Sequence, residues 1–276
     1  MKKKILITGS SGYIGQHLVK MLKDQYILTG LDRVEHNNLD NLLQDVTNLT
    51  TPLETEYDVV VHLAALVQVG ESVLFPTDYY LTNTVGTLNI LKNVKCKNFV
   101  LASTGAANQL TCPYGISKKA AEEIVAEYCQ KNKIDYTIFR FYNVVGTDGI
   151  VPTNPDGLFY ALIKAMQTNE FTIYGDDYKT ADGTCVRDYV HVNEICNAIK
   201  LAIETPSNKI ENLGHGKGYS VKEIAELFKT VNNANITINI GPRREGDIEV
   251  SILDNVSKYM QSLYTIEELL DIRYNY

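Results

Sequence analysis

Short runs of apolar residues alternate along the first half of the chain with segments whose apolar positions recur about every 3.6 residues. The runs predict buried strands, and the spaced segments predict helices between them. The expected strands cover 4–8, 26–31, 59–63, 98–103 and 136–141, and the expected helices cover 14–22, 77–91 and 116–128. Strands alternating with helices favour right-handed crossovers onto a parallel sheet, so we predict an α/β fold with a Rossmann-type doubly wound sheet.

Beyond residue 145 the pattern loosens into turn-rich clusters such as TDGIVPTNPDG and YGDDYKTADGTCVRD. This change predicts a smaller C-terminal α+β lobe of loops, short strands and helices. We expect a first domain over 1–145 and a lobe over 146–276, with segments around 180–200 returning to the first domain. Architectures of this kind bind ligands at the carboxyl ends of their strands.

The segment ITGSSGYIGQH places three glycines, Gly9, Gly12 and Gly15, between the first strand and the first helix. The first glycine permits a tight turn, the second a close backbone approach to a pyrophosphate, and the third close packing of helix on strand. The free amides and the positive helix end then face the phosphates. The context of strand, turn and helix indicates a dinucleotide-binding domain.

Asp32 ends the second expected strand, YILTGLD, seventeen residues after Gly15. A carboxylate there accepts hydrogen bonds from the adenosine ribose and repels a 2′-phosphate, which favours NAD over NADP. Arg33 is an argument for NADP instead, since an arginine can bind the 2′-phosphate. Asp45 and Val46 are candidates for an adenine contact, and a turn role for Asp45 is an equal alternative.

Composition excludes several classes of function. The 276-residue chain has a net charge of −7 and a pI near 5.3, which argues against a nucleic-acid partner. No segment approaches the ~20 apolar residues of a membrane helix, so we expect no membrane association. The five cysteines are odd in number and form no CxxC, which favours a reducing, cytoplasmic location, and the scattered histidines predict no metal site.

The segment CPYGISKK begins the third expected helix and places Tyr114 and Lys118 four positions apart, on one helical face. The preceding strand delivers two hydroxyls, Ser103 and Thr104, at the carboxyl edge of the sheet. A free tyrosine ionises near pH ~10, and a neighbouring ammonium with a positive nicotinamide ring favours the phenolate. The combination predicts a hydride-transfer site in which Lys118 and the nicotinamide ring together lower the pKa of Tyr114 towards neutrality. The alternative is an ordinary amphipathic surface helix.

Nearly the whole chain resembles the extended short-chain dehydrogenase/reductase family, and within it the UDP-glucose (UDP-galactose) 4-epimerase type, including enzymes that act on UDP-N-acetylglucosamine. The resemblance runs through TGSSGYIGQH, HLAALVQVGES, PTDYYLTNTVGTLNIL, PYGISK, RFYNVVG, YGDDYKTADGTCVRDYVHV, NLGHGKGYSV and GPRREGD. It implies an isomerase that inverts C4 of UDP-glucose/UDP-galactose, of UDP-GlcNAc/UDP-GalNAc, or of both, through a transient 4-keto sugar. NAD is the implied cofactor, bound by 1–145, and a UDP-sugar is the implied substrate of the lobe.

The resemblance also assigns roles to individual residues. Tyr114 is the implied acid/base, Lys118 binds the nicotinamide ribose, and Thr104 hydrogen-bonds the sugar 4-hydroxyl. The implied cofactor contacts, together with those already given, are Gly9, Gly12, Tyr13, Ile14, Gly15, Asp32, Asp45, Val46, Leu63, Ala64, Ala65, Asn83, Ser103, Tyr114, Lys118 and Phe141. The implied substrate contacts are Thr104, Tyr114, Asn143, Tyr174, Arg187, Arg244, Asp247 and Ser251.

Within this substrate set, the resemblance places Arg187 and Arg244 on the diphosphate, Tyr174 on the uracil and Asp247 on the uridine ribose. Surface ion pairing, with Glu245 close by, is the alternative for Arg244. Ser251 falls at a wall position that is large in relatives restricted to plain hexoses, and its small side chain implies that N-acetyl sugars are accepted. His62 and His191 are interpreted as structural.

Related sugar-nucleotide enzymes remain as alternatives. Dehydratases of this family carry acidic residues after the catalytic threonine, where this chain has Gly105, Ala106 and Ala107. Decarboxylases need an arginine-rich carboxylate site, of which the sequence shows no clear surplus. A non-catalytic NAD(P)-binding sensor has no need of an intact Thr104, Tyr114 and Lys118.

The chain also departs from most of the family. It is shorter after Asp32 and between Thr104 and Tyr114, and Val67 stands where some relatives have lysine. Asn154 is only a candidate for an asparagine that relatives carry before the lobe's long helix. The helices expected over 77–91 and 116–128 correspond to the family's dimer helices, which implies a homodimer.

Overall fold

A computed structural model describes residues 2–36, 39–155, 157–244 and 247–272. The chain divides into two compact units, Met1–Phe141 with Cys196–Glu211, and Tyr142–Ile195 with Asn212–Tyr276. The first division therefore falls four residues before the expected boundary at 145, because 143–145 pair with a strand of the second unit. The segment that returns to the first unit is 196–211, whereas we expected one around 180–200.

The described residues form strands and helices of ordinary length. The strands are β1 Lys4–Thr8, β2 Ile27–Asp32, β3 Asp40–Leu43, β4 Tyr57–His62, β5 Cys96–Thr104, β6 Asp135–Phe141, β7 Asn143–Val145, β8 Glu170–Tyr174, β9 Val186–His191, β10 Lys209–Leu213, β11 Gly218–Ser220, β12 Thr237–Gly241 and β13 Val250–Ser251. The helices are α1 Tyr13–Leu22, α2 Val69–Leu74, α3 Pro76–Tyr79, α4 Gly86–Asn93, α5 Pro113–Asn132, α6 Leu158–Thr168, α7 Val192–Glu204, α8 Val221–Asn232 and α9 Ile266–Leu270. A π-helical segment, Tyr80–Val85, joins α3 to α4, and 3₁₀ turns cover Val46–Asn48 and Gly105–Asn108.

One seven-stranded sheet forms the core of the first unit, in the order β10-β6-β5-β4-β1-β2-β3. The described pairs that link β6, β5, β4, β1, β2 and β3 are all parallel. Their central strands are buried on both faces, as the apolar runs predicted, with Ile5, Val60 and Leu101 fully covered. The α/β, Rossmann-type prediction is confirmed, and the carboxyl ends of β1, β2, β4 and β5 lie side by side along one edge.

The helix α5 carries the Tyr114 and Lys118 pair. Pro113 occupies its first turn, where a missing N–H costs nothing, and Lys133 ends it in a left-handed conformation. Gly115 lies against the 3₁₀ turn that follows β5, because an added Cβ would meet the Ala106 carbonyl oxygen at 2.6 Å. This close approach positions the start of α5 beside the end of β5.

The second unit contains two small sheets and a helical layer. Strands β11, β9 and β13 form a sheet with β7 paired to β9, and β12 pairs with β8 in a separate two-stranded sheet. Its core includes Phe159 of α6 and Phe228 of α8, whose rings meet edge to face at 6.1 Å. The α+β lobe expected from the sequence is therefore present, with β9 at its centre.

Candidate functional site: a nucleotide-binding turn and an acid–base helix

The glycine-rich turn after β1 fits a dinucleotide phosphate. Gly9 has a positive φ of 71°, and a Cβ on it would meet the Ala64 backbone nitrogen at 2.7 Å. A Cβ on Gly15 would lie 2.2 Å from the Gly9 carbonyl oxygen, so the turn tolerates neither side chain. Gly12 caps α1, and no side chain caps the helix end. The helix N-terminus therefore presents backbone amides in a cradle that extra side chains would fill.

Asp32 lies at the end of β2, beside this turn. Its carboxylate oxygens accept the Ser11 amide at 2.9 Å and the Val34 amide at 3.2 Å. Since each carboxylate oxygen has a second lone pair, Asp32 retains acceptor capacity for ribose hydroxyls. Arg33 is largely exposed and lies 3.9 Å from the Asp45 carboxylate.

Asp45 caps the 3₁₀ turn that begins at Val46. One carboxylate oxygen of Asp45 accepts both the amide and the hydroxyl of Thr47, each at 2.8 Å. The turn role that we gave as an alternative is therefore present. The Val46 side chain is buried in the core of the first unit, which leaves only its backbone for an adenine contact.

The segment Leu63–Ala65 leaves the end of β4 next to the glycine turn. The Leu63 amide donates to the Thr8 carbonyl oxygen at 3.1 Å, and the Ala64 amide to the Thr8 hydroxyl at 3.2 Å. Asn83 is fully buried, and its side-chain oxygen accepts a hydrogen bond from the Leu66 amide. Its side-chain nitrogen donates to the Leu66 carbonyl oxygen and to the Ser117 hydroxyl, the latter at 3.0 Å. Both N–H donors of Asn83 are thus used within the protein, which differs from the direct cofactor contact that we expected.

The two hydroxyls at the end of β5 have different environments. Thr104 is partly exposed and caps the following 3₁₀ turn, and it also hydrogen-bonds Tyr114. Ser103 is 4% exposed and donates to Glu122 at 2.6 Å. The structure therefore presents Thr104 to the site, whereas Ser103 points to an internal carboxylate instead of the cofactor side that we expected.

Burial governs the ionisation of Tyr114 in the protein alone. Burial raises the pKa of the Tyr114 hydroxyl to about 12, although the Thr104 hydrogen bond acts in the opposite direction. Burial also lowers the pKa of Lys118 to about 8, and Glu122 opposes that change. Lys118 is not among the described groups that set the pKa of Tyr114, so the protein alone holds Tyr114 in its protonated form at neutral pH.

A buried ionic network underlies this helix, and the sequence analysis missed it. Glu122 is fully buried, and Arg140 of β6 donates to both of its carboxylate oxygens. Arg140 also donates to Asn108 of the 3₁₀ turn. Two signals in the sequence could have revealed it: an arginine inside the apolar strand YTIFRF, and a glutamate four residues after Lys118.

The histidines that we interpreted as structural are buried in the structure. His62 lies between Thr8 at 2.6 Å and Thr87 at 3.0 Å, and burial, then Lys118, lowers its pKa to about 3. His191 is stacked on Tyr264 with ring centroids 4.1 Å apart. Neither arrangement presents an imidazole for proton transfer.

In the second unit, Arg187 on β9 is near two of the predicted substrate residues. Its guanidinium lies 3.7 Å from the Asp247 carboxylate, and its backbone is in register with Ser251 of β13. Asn143 of β7 donates to the carbonyl oxygen of Asp188 on β9 at 3.0 Å. Four predicted residues thus gather around β9, whereas Asn154 lies in the segment before α6.

Arg244 and Tyr174 form a second pair in this unit. The Arg244 guanidinium lies 3.9 Å above the centre of the Tyr174 ring, and the neighbouring Arg243 lies 4.0 Å above the Tyr178 ring. Asp177 also holds Arg243, at 2.5 Å. Glu245, the ion-pair partner considered for Arg244, lies outside the described residues. Arg244 is exposed, and the Tyr174 ring supports its guanidinium group from one side.

The described part of the chain has neither a metal-binding cluster nor a membrane-spanning helix. No group of three or more His, Cys, Asp or Glu residues there is placed to hold a metal ion. Within the same residues, none of the helices combines the length and apolar character that crossing a bilayer requires.

Comparisons with known proteins agree with this geometry. Residues 5–214 match the sequence profile of the NAD dependent epimerase/dehydratase family. A UDP-glucose 4-epimerase from Halalkalibacterium halodurans is 35% identical, over 88% of this chain and 84% of that protein.

Two solved structures of similar proteins extend the likeness over the full fold. The UDP-glucose 4-epimerase from Bifidobacterium longum, in complex with NAD⁺ and UDP, has a TM-score of 0.85 at 28% identity and covers 99% of this chain and 97% of that one. The UDP-Glc/GlcNAc 4-epimerase from Campylobacter jejuni has a TM-score of 0.78 at 29% identity, with coverages of 98% and 97%.

A parallel sheet with a glycine turn, a strand-end threonine and a Tyr-x-x-x-Lys helix defines a dinucleotide-dependent enzyme of the Rossmann class. Within that class, the chain belongs to the NAD dependent epimerase/dehydratase family.

Proposed function

We propose that this protein is an NAD-dependent UDP-hexose 4-epimerase, an isomerase that inverts C4 through a transient 4-keto sugar. One observation carries the proposal: Thr104 at the end of β5 acts through its hydroxyl on the ionisation of Tyr114 at the start of α5, and buried Lys118 lies one helical turn further along that helix. The glycine turn after β1 fits the phosphates of NAD, since added side chains at Gly9 or Gly15 would fill it.

The proposed chemistry assigns one proton-transfer role to the chain. Bound NAD supplies a reversible hydride acceptor, and its positive ring favours the Tyr114 phenolate. Tyr114 takes the proton of the sugar 4-hydroxyl as C4 becomes a ketone, and Thr104 hydrogen-bonds the same oxygen. After the keto sugar turns over, Tyr114 would return the proton to the same oxygen, which restores the 4-hydroxyl in the inverted configuration. Lys118 binds the nicotinamide ribose and adds positive charge.

The first unit is proposed to bind NAD and the second to bind the UDP moiety. Arg187 and Arg244 are the proposed diphosphate contacts, because guanidinium groups suit paired phosphate oxygens in a chain of negative net charge. Tyr174 offers a ring face to the uracil, and Asp247 an acceptor to the uridine ribose. Firm binding of UDP with few sugar contacts allows the keto sugar to turn over while it remains attached.

Incubation with UDP-galactose, without added reductant, tests the reaction class. A 4-epimerase forms UDP-glucose until the two sugars reach equilibrium, with no net change in NAD. A dehydratase would instead form a 4-keto-6-deoxy sugar, and a decarboxylase would act only on a uronic acid. A sensor would leave UDP-galactose unchanged. Gly105, Ala106 and Ala107 after Thr104 supply no acid for water elimination, so we expect UDP-glucose as the product.

The small side chain of Ser251 supports a broader substrate range. Ser251 is partly buried on β13, in register with Arg187, and has a small side chain. We therefore expect UDP-GlcNAc and UDP-GalNAc to be interconverted as well. Ser251→Tyr should lower kcat/KM for the N-acetyl sugars by about tenfold or more, as overpacking of ~1–3 kcal/mol implies, and Ser251→Ala is the control. Unchanged N-acetyl activity in Ser251→Tyr would contradict this expectation.

An exposed apolar stripe supports a homodimer. Leu81 and Val85 of the π-helical segment and Leu88 of α4 recur at helical spacing, with exposed fractions of 51%, 38% and 43%. Ile116 adds a further exposed apolar side chain on α5. We expect sedimentation to give twice the chain mass, and Leu81→Lys with Leu88→Glu to give a folded monomer. A monomeric wild type would contradict the proposal.

A cytoplasmic location is proposed from the cysteines. All five are unpaired in the structure, and four of them are buried, as in proteins of reducing compartments. Fractionation of the source cells tests the location directly.

A further inference from the structure

Three ionisable side chains recur at four-residue spacing along α5. Tyr114, Lys118 and Glu122 therefore lie along one face of the helix. Lys118 is 2% exposed and Glu122 is fully buried. A buried carboxylate is unfavourable unless it is paired, so its partners indicate what it does.

Glu122 is fixed by residues of two neighbouring strands. The Ser103 hydroxyl of β5 donates to its Oε1 at 2.6 Å, and Arg140 Nε of β6 donates to the same oxygen at 2.7 Å. The Arg140 Nη2 group donates to Oε2. Arg140 in turn holds Asn108, in the turn that follows Thr104. The carboxylate is thus held in one orientation by three hydrogen bonds.

We propose that Glu122 is a positioning residue of the acid–base site: its fixed carboxylate keeps the buried Lys118 side chain, one helical turn away, in the ammonium form. This inference rests on the roles proposed above for Tyr114 and Lys118. Because Arg140 engages both carboxylate oxygens, Glu122 acts on Lys118 through its charge and leaves the ammonium donors available to the nicotinamide ribose.

The charges that face Lys118 support this role. Burial lowers the pKa of Lys118 to about 8, and the negative charge of Glu122 is what raises it. His62, at the end of β4, also lies near Lys118, but its low pKa keeps it neutral. Tyr114 is protonated at neutral pH in the protein alone. Of Glu122, His62 and Tyr114, Glu122 is therefore the group whose negative charge opposes the effect of burial on the pKa of Lys118.

The remaining ionisable groups around α5 have other partners. Tyr79 of α3 faces the Tyr114 ring at 6.2 Å and donates its hydroxyl to Glu71 of α2 at 2.8 Å. Lys119 lies 3.6 Å from Glu122 but extends to the surface, where it pairs with Glu123 at 2.6 Å. Cys112, which lies just before α5, raises the pKa of Tyr114.

The test compares Glu122→Gln with Glu123→Gln, the same substitution one residue further on an exposed position of the same helix. In NAD-loaded protein with carbon-13-labelled lysine, NMR follows the titration of Lys118, and Lys118→Met assigns its signal. We expect the Lys118 midpoint to fall by about one pH unit or more in Glu122→Gln, since one unit corresponds to ~1.4 kcal/mol of lost interaction. The alkaline limb of the kcat profile should move in the same direction, and Glu123→Gln should change neither.

A second variant guards against misfolding. Glu122→Gln leaves Arg140 buried without its partner, which is strongly destabilising, whereas Glu122→Met with Arg140→Met replaces the pair by apolar side chains of similar volume. The proposal predicts a lower Lys118 midpoint in this double variant too. A wild-type midpoint in either folded variant would overturn it. Full activity of Tyr114→Phe would instead overturn the proposed function, and the NMR titration distinguishes the two failures because it needs no turnover.

Discussion

Lys118 and Arg244 are both proposed to contact parts of the bound nucleotides, but their surroundings differ. Lys118 is 2% exposed on a long helix, and the Glu122 carboxylate, fixed by two strands, opposes the lowering of its pKa by burial. Arg244 is exposed and lies over the ring of Tyr174, so solvent and salt reach it. A buried charge responds strongly to its neighbours, whereas an exposed one is screened. The comparison therefore separates the proposed proton-transfer site in the first unit from the proposed anion-binding site in the second.

The largest effect in this comparison is expected at Lys118. Lys118→Met should lower kcat by about 10²–10³-fold, since positioned acid–base groups contribute on that order, and should weaken NAD retention. Lys119→Met is the matched control, because the adjacent lysine extends to the surface and should change kcat by less than about twofold. Steady-state assays of UDP-galactose conversion give both values. Equal losses in the two variants would remove the distinction between the buried and the exposed lysine.

The second effect concerns the diphosphate contact in the second unit. Arg187→Gln should raise KM for UDP-sugars by about 10–100-fold with little change in kcat, because charge-assisted hydrogen bonds contribute ~1.5–3 kcal/mol. Lys217→Gln, at an exposed position of the same unit, should leave KM unchanged. A loss in kcat alone would show that Arg187 acts in the chemical step and not in UDP-sugar binding, which contradicts the contrast with Lys118.

The pH dependence should follow the buried site. The lowered pKa of Lys118, about 8, means that its ammonium form is present below that value and is lost as pH rises through it. We expect kcat at about pH 9 to be roughly tenfold lower than at about pH 7. KM for the UDP-sugar should change little over that range, because guanidinium groups stay charged. A flat kcat profile would show that Lys118 does not titrate during turnover.

The smallest effect is expected at Tyr174. Tyr174→Leu should weaken UDP binding by about 3–10-fold through loss of the ring that supports Arg244, and Tyr174→Phe should restore most of the affinity. Isothermal titration with UDP at two salt concentrations measures both. Equal affinities for the leucine and phenylalanine variants would show that the aromatic ring is not used.

The sequence was a good guide to backbone and motif but a poor guide to side-chain chemistry. Continuous apolar runs and the glycine spacing are local signals, so β1, β4 and β5 were predicted within two residues and the start of α5 within three. The short strands β11 and β13 of the second unit were not individually predicted, because their pairing with β9 is a tertiary effect.

The candidate site shows the same limit. Thr104, Tyr114 and Lys118 follow from spacing and resemblance, but the inward direction of Ser103 depends on Glu122 and Arg140, which lie far apart in sequence. The pKa of Tyr114 in the protein alone was not predictable for a related reason. Burial, which no local pattern reveals, raises that pKa more than Thr104 lowers it.

The central claim is that Tyr114 exchanges the proton of the sugar 4-hydroxyl. The most direct test is the rate of UDP-galactose conversion to UDP-glucose per bound NAD, measured for the wild type and for Tyr114→Phe at equal NAD occupancy. The account predicts that the phenylalanine variant keeps its NAD and its affinity for UDP but loses about 10²–10⁴-fold in rate. Conversion at the wild-type rate would contradict the account.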